Sequence, residues 1–506
     1  MNKTLAKLLS QATKLTAAAF SHIFPIKRSE LKKFCAIAAL LFCILFVQNI
    51  SKALKDSLIT TLVATEVISV LKIWGVLPSS ILAGIIYVKL TKTIKAENIF
   101  YTIITAFVAF FLLFAFVILP KHIYSSHLLD LNTAAVKWKS LKLFALVISN
   151  WSCSLLYVVS ELWSNIVLSL LFWQFVNAIT PVATSKRLYV MFGVLGQTGL
   201  YLSGSFLQNI PNLTSWLIHK FSLKISQTVL CIQVVLSIMA LFGIASIVIF
   251  FLLNKFVIDK EDLINFNFKP KKSQQSTLES IKLITQSKYI RLIGLLLMSY
   301  GISITTVESM WKDKVRMMYQ IPEFNLAFTG MTLKYSGIVT IVAVIVGSGV
   351  IRKFGWKAGA LITPICTWFF GTIFFITANC ETAATVLASI WATNTLYVTL
   401  IAGALQNIFT KATKYTLFDA TKEMSYVPLD PELKTQGKAC ADTVGVKFGK
   451  SLGALIQASI FSLMPNATFS SISVFLMILF SMTCVLWCYA ANQLGNEYNK
   501  AVLHHD

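Results

Sequence analysis

Charged side chains stand in this sequence where a charge is expensive. Lys72, Lys334, Lys447, Lys450 and Glu161 lie inside long apolar runs, and Glu308 ends one. On insertion scales each costs about 2.5–3.5 kcal/mol at the centre of a membrane helix, so charges kept there line a wet cavity or neutralise one another. Lysines outnumber glutamates in this set, which predicts a cationic cavity and an anionic ligand. A lysine ammonium is a point-charge partner for phosphate. Two structural readings compete with that one. Lys72 and Glu161 pair to staple the first half of the chain, or Lys72 and Lys334 snorkel from near their helix ends. Secondary candidates lie close by in sequence. Lys55 belongs to "LKD" (54–56). Tyr157 is one turn before Glu161 and Trp74 is two residues after Lys72. Their rings offer faces to a purine, and they equally suit bundle filling or an interfacial belt. Asn165 in "SNI" and Asn407 in "QNI" are matched across the two halves of the chain.

Other chemistries fit less well. "GVKFGKS" (445–451) is one residue short of the spacing that a phosphate-binding P-loop needs between its glycines, and no strand pattern precedes it. Gly445, Gly449 and Gly453 read instead as a small-residue helix face for close packing, with Lys450 projecting from it. The nine cysteines have no metal spacing and read as apolar fillers. All six histidines fall in tails or loops, which argues against a proton relay or a zinc site inside the membrane. Asp419, Glu423 and Asp442 are the inner-side carboxylates available to an enzyme, and they form no metal motif. No metal and no cofactor is expected.

The elements that carry these residues are membrane helices. Of 506 residues, 56% are hydrophobic and only 13% charged, too few polar groups to cover a soluble surface. The apolar residues fall in blocks of about 20, the length of a bilayer-crossing helix. A soluble nucleic-acid role is thereby excluded, despite the net charge of +23. Spans are expected near 34–51, 67–89, 98–119, 142–177, 189–209 and 228–254. A second set is expected near 290–308, 327–351, 358–378, 383–417, 441–463 and 470–492. The reading is an all-α polytopic membrane protein of about twelve helices in two six-helix halves. Its parts are an N-terminal segment (1–33), a first half (34–254), a Lys/Ser/Gln-rich linker (255–289), a second half (290–492) and a tail (493–506). Basic residues gather at the N-terminus, at Lys89/Lys92/Lys95, Lys186/Arg187, in the linker, at Arg352/Lys353/Lys357 and at Lys411/Lys414. The positive-inside rule puts that side, with both termini, in the cytoplasm.

The halves match in order. "LKIWG" (71–75) resembles "LKYSG" (333–337), and Lys95 and Lys357 each follow 23 residues after the matched lysine. "LKD" (54–56) matches "WKD" (311–313), and the fourth span is unusually long in both halves. A duplicated six-helix unit places a substrate site near the midplane, between the halves. A monomer is expected, because each half supplies the other's partner surface.

Longer stretches carry a family likeness: "KDSLITT" (55–61), "VLKIWGVLP" (70–78), "ELW" with "LLFWQFVNAIT" (161–180), "VESMWKDKV" (307–315), "ALQNIFTKATKYTLFDATKEMSYVPLD" (404–430) and "GKACADTVGVKFGKSLGALIQ" (437–457). From about residue 30 to the C-terminus the sequence resembles the ATP/ADP translocase family, the nucleotide transporters of obligate intracellular bacteria and plastids. The resemblance implies a twelve-helix, major-facilitator-like carrier in the bacterial inner membrane. It implies import of host ATP in exchange for ADP by alternating access. It also implies dependence on two lysines and two glutamates, which by motif fall on Lys72, Glu161, Glu308 and Lys450. On that basis Lys72 and Lys450 hold phosphates, and the glutamates neutralise the lysines when the site is empty. Proton-coupled or counter-exchange import of other nucleotides (GTP, CTP, UTP or NAD) stays open as an alternative. A membrane-embedded phosphotransferase is more remote.

Overall fold

A computed structural model describes residues 30–122, 141–180, 182–258, 287–429 and 446–503. The expected N-terminal segment and linker fall almost wholly outside these residues, as do Cys440, Asp442 and Gly445. The described secondary structure is helical throughout. The first set of helices is α1 (Leu31–Val63), α2 (Val67–Thr91), α3 (Ala96–Lys121), α4 (Trp151–Ile179), α5 (Val182–Gln208) and α6 (Gln227–Phe256). The second is α7 (Lys288–Met318), α8 (Pro322–Val344), α9 (Gly349–Asn379), α10 (Thr395–Ser425), α11 (Val446–Leu463) and α12 (Ser473–Ala501). Nine of these are long and apolar enough to cross a bilayer, and α10 with the short helix before it makes a tenth. α5 and α11 are less apolar and hold the fifth and eleventh places. We call the face where α1 and α7 begin the basic face, and its opposite the distal face.

Two expectations are corrected. α1 runs on to Val63 and α7 to Met318, well beyond the apolar runs that ended at 51 and 308. Charges in those extensions find partners inside the bundle, so lipid hydrophobicity does not end the helices there. The long fourth spans are not single rods. In the first half Lys142–Ser149 precedes α4, with a break at Asn150. In the second half Glu381–Ile390 precedes α10, bent from it by 92°. Near the start of α9 the helical path breaks at Gly355, whose φ is +81°. No atom lies within 4 Å of a Cβ built there, so the glycine serves its backbone angle and not close packing.

The apolar core divides in a way that matters for function. One cluster belongs almost wholly to the first half, from Phe34 to Leu253. Another belongs to the second half and includes Leu292, Leu296, Tyr300, Trp356 and Trp487. The third crosses between halves. It joins Ile59, Val67 and Leu71 to Val307, Met310, Phe328, Phe461 and Phe469. The shared cluster lies at the late ends of α1, α7 and α11 and the early ends of α2 and α8, which is the distal face. The halves therefore share a core distally and have separate cores toward the basic face.

Candidate functional site

α1 and α7 build the site in the same way. Lys52, Lys55 and Asp56 are three and four residues apart on α1, hence on one face, and Glu308 and Lys312 are four apart on α7. Lys55 lies 24 residues beyond Leu31, and Lys312 lies 24 beyond Lys288. The two repeat-matched motifs thus stand at the same height, about 36 Å along each helix at 1.5 Å per residue.

A chain of ion pairs joins them. Lys55 Nζ is 3.0 Å from Glu161 Oε1 and 2.6 Å from Asp56 Oδ1. Lys312 Nζ is 2.8 Å from the other oxygen of Asp56. Lys55 is almost fully buried, at 2% exposure, and its ammonium lies 3.8 Å above the centre of the Tyr157 ring. Each element is anchored locally. On α4, Trp163 is buried and its indole donates to Ile44 O of α1 at 3.1 Å, fixing the turn that carries Glu161. On α7, the Trp311 indole donates to Leu400 O of α10 at 3.2 Å. Gly403 leaves room for that ring, since a Cβ there would overlap Trp311 Cδ1.

Further charges face this chain. Glu308 lies in the field of Lys312, Lys411, Lys450 and Lys72. Lys72 lies in that of Lys312, Glu308, Asp56 and Lys55. Lys52 faces Glu161, Lys450 and Glu308. The group holds six lysines (52, 55, 72, 312, 411, 450) against Asp56, Glu161 and Glu308, a formal excess of three positive charges. Two of its members come from helices wound locally as π-helix or running into one, a distortion that often marks functional sites. Leu71–Val76 contains Lys72, and Ser164–Phe172 begins three residues after Glu161.

The structure brings Lys72, Glu161, Glu308, Lys450 and Lys55 into this group. The expected Lys72–Glu161 pair is not formed, because Lys55 takes Glu161. Lys334 lies apart. Its ammonium donates to Gln208 Oε1 of α5 at 3.2 Å. Lys447 lies at the start of α11, with its side chain outside the described set. Tyr157 is fully buried beneath Lys55, so it has no open face for a base. Trp74 is 65% exposed and meets Phe144 edge-on at 5.9 Å. Asn165 donates to Ser80 Oγ at 3.0 Å, tying α4 to α2, and Asn407 donates to Gly403 O within its own helix. The small-residue face on α11 packs as expected. A Cβ on Gly449 would lie 2.5 Å from Met298 O, and one on Gly453 3.2 Å from Thr305 Cβ.

Sequence reasoning missed Asp56, Lys312, Lys52 and Lys411 as site charges. Lys411 reads from sequence as one of the basic residues of the cytoplasmic side, within the long span 383–417; it lies in α10 and faces Glu308. The usable signal for Asp56 and Lys312 was the pairing of "LKD" with "WKD", which was read only as a repeat.

Two helical halves with a group of buried charges at their seam define a polytopic secondary transporter, not an enzyme. The fold agrees with solved transporters of the major-facilitator kind. The nucleoside transporter NupG superposes with a TM-score of 0.53 at 10% identity, covering 90% of this chain and 98% of that one. A D-xylose-proton symporter gives 0.51 at 15%, covering 90% and 96%. The chain belongs to the TLC ATP/ADP transporter family, whose sequence profile matches residues 9–498. Among its relatives, ADP,ATP carrier protein 4 of Rickettsia felis is 46% identical over 98% of this chain and 97% of the relative. That of Rickettsia prowazekii is 46% identical over 99% and 98%. ADP,ATP carrier protein 3 of Rickettsia prowazekii is 40% identical over 94% and 97%.

Proposed function

We propose that this protein exchanges ATP for ADP across a bacterial inner membrane by alternating access. One observation carries the reading: three uncompensated positive charges gathered where the two halves meet. In a low-dielectric enclosure such an excess calls for a polyanion, and a nucleoside di- or triphosphate brings several negative charges in one molecule. Lys72 on α2 and Lys450 on α11 belong to different halves, so phosphates held by both tie the halves together. Glu161 and Glu308 neutralise neighbouring lysines when the site is empty. The basic face is cytoplasmic by the positive-inside rule, with both termini on that side. The protein works as a monomer of two six-helix halves joined through the 255–289 linker, with lipid and nucleotide as its partners and no nucleic acid.

The test is uptake of labelled ATP, GTP, CTP, UTP and NAD by intact cells producing the protein. It is run with and without preloaded ADP, and with and without an uncoupler. ATP uptake that requires internal ADP and ignores the uncoupler is expected. Uncoupler-sensitive uptake without a counter-substrate would replace exchange by proton coupling. Lys334, held by Gln208 away from the charge group, is predicted to be dispensable. Lys334→Gln keeps ATP uptake within about threefold of the unsubstituted protein at equal protein level, the usual range for a side chain outside a site.

A further inference from the structure

We propose that Asp56 and Lys312 form the lock that holds the two halves together at the distal face, and that substrate phosphate releases it by taking Lys312. The release step rests on the exchange reading above; the lock itself does not. The Asp56–Lys312 ion pair crosses from α1 to α7 at 2.8 Å, within the region where the halves share an apolar core. Hydrogen bonds from hydroxyl groups cross beside it. Ser57 Oγ donates to Pro322 O at 3.0 Å, and Thr228 Oγ1 donates to Glu323 Oε2 at 2.9 Å.

The pair differs from these contacts in what happens when the halves part. Asp56 keeps Lys55 at 2.6 Å, on its own helix. Lys312 loses its ion-paired carboxylate and keeps, on its own half, only the field of Glu308 one turn away, shared with Lys411. Distal opening is thus opposed by an unpaired ammonium, and it becomes easy once another anion has taken that ammonium. A phosphate arriving from the side where the halves are already apart supplies that anion. Ser57, Thr60, Trp311 and Asn325 join the pair around a seam cavity of about 30 Å³. That is room for at least one water, so the pair is not jammed in place by packing. The empty carrier stays locked, and nucleotide movement becomes an exchange.

The test uses the full-length protein with its own cysteines replaced and one cysteine placed at Asn325, which lines the seam cavity. In detergent and without nucleotide, Lys312→Gln and Asp56→Asn are each expected to raise the labelling rate of that cysteine by about fivefold or more, since both remove the attraction that favours the closed seam. In liposomes the same variants are expected to release preloaded labelled nucleotide without external nucleotide, again about fivefold faster. The double neutral variant, Asp56→Asn with Lys312→Gln, is expected to label no faster than either single variant, whereas two independent loosenings of the fold would multiply. Labelling unchanged in both single variants overturns the lock. So does a double variant in which the two single effects multiply. Because the labelling arm contains no nucleotide, it reads the lock even if the substrate is not ATP. Lock behaviour in that arm with no release in liposomes would overturn the phosphate step alone.

Discussion

Replacing Lys55 with glutamine is expected to lower ATP uptake by about a hundredfold or more, the largest effect of any single charge in the site. Lys55 holds two carboxylates at once, Glu161 at 3.0 Å and Asp56 at 2.6 Å, with the Tyr157 ring closing its third side. Removing one member of a buried ion pair costs about 3–5 kcal/mol, because the charge left behind has neither water nor partner. Glu161 would be left so here, with no other ion pair among the described residues, while Asp56 would keep Lys312. A penalty of about 3 kcal/mol is already a factor of a hundred in an equilibrium. The substitution also cuts the positive excess, weakening the pull on a polyphosphate. Lys55→Arg keeps the charge but needs more room above a fully buried ring, so partial uptake is expected. Uptake per unit of inserted protein is the measurement, with thermal stability of the purified protein beside it. Uptake near the original level in Lys55→Gln would remove Lys55 from the site.

Lys55 also shows why part of the site could not be read from sequence. Membrane helices are found by the apolar side chains they show to lipid. The run that begins at Phe34 loses that character near Ser51, and a hydropathy reading stops there. The helix does not stop, because Lys52, Lys55 and Asp56 face other charges and not lipid. The same holds for Lys312 at the end of α7. Lys72, Glu161 and Lys450 were legible because they interrupt apolar runs, where the cost of a charge is visible without knowing its partner. Partner choice was not legible. Nothing in the spacing of Lys72 and Glu161 says that an α1 lysine lies nearer to Glu161.

The repeat was informative about height and less so about role. "LKD" and "WKD" do stand at one level, as a duplicated unit requires. Asp56 nevertheless bridges two lysines, while Asp313 has Arg316 at 3.7 Å. Lys72 and Lys334 diverge in the same manner. One faces the central charges and the other donates to Gln208 of α5. Duplication fixes where a backbone position falls. The chemistry at that position depends on neighbours that each half has since acquired.

Gly449→Ala is expected to lower ATP uptake by about a hundredfold even where the protein still inserts. The small methyl group has an effect this large because of what it would meet. A Cβ at Gly449 would lie 2.5 Å from Met298 O and 2.8 Å from Met298 Cα, both backbone atoms of α7 that cannot rotate aside. On the facing helix, a Cβ at Gly301 would lie 2.7 Å from Lys450 N. The two glycines thus allow a backbone-to-backbone contact, the kind that holds membrane helices together where no hydrophobic force between them exists. Relief requires α11 to move off α7 by about 1 Å, since a close-packed interior absorbs little of the overlap. Lys450 is the next residue on α11 and moves with it, away from Glu308 and the remaining charges. A displacement of about that size is enough to cost two orders of magnitude when binding groups must converge on one ligand. Gly84→Ala in α2, where a Cβ meets nothing within 4 Å, is the matched control and should stay within about twofold. Inserted protein is quantified in membranes alongside uptake, so that lost folding and lost transport are separated. Gly449→Ala transporting as well as Gly84→Ala would mean that the α7–α11 contact does not set the position of Lys450.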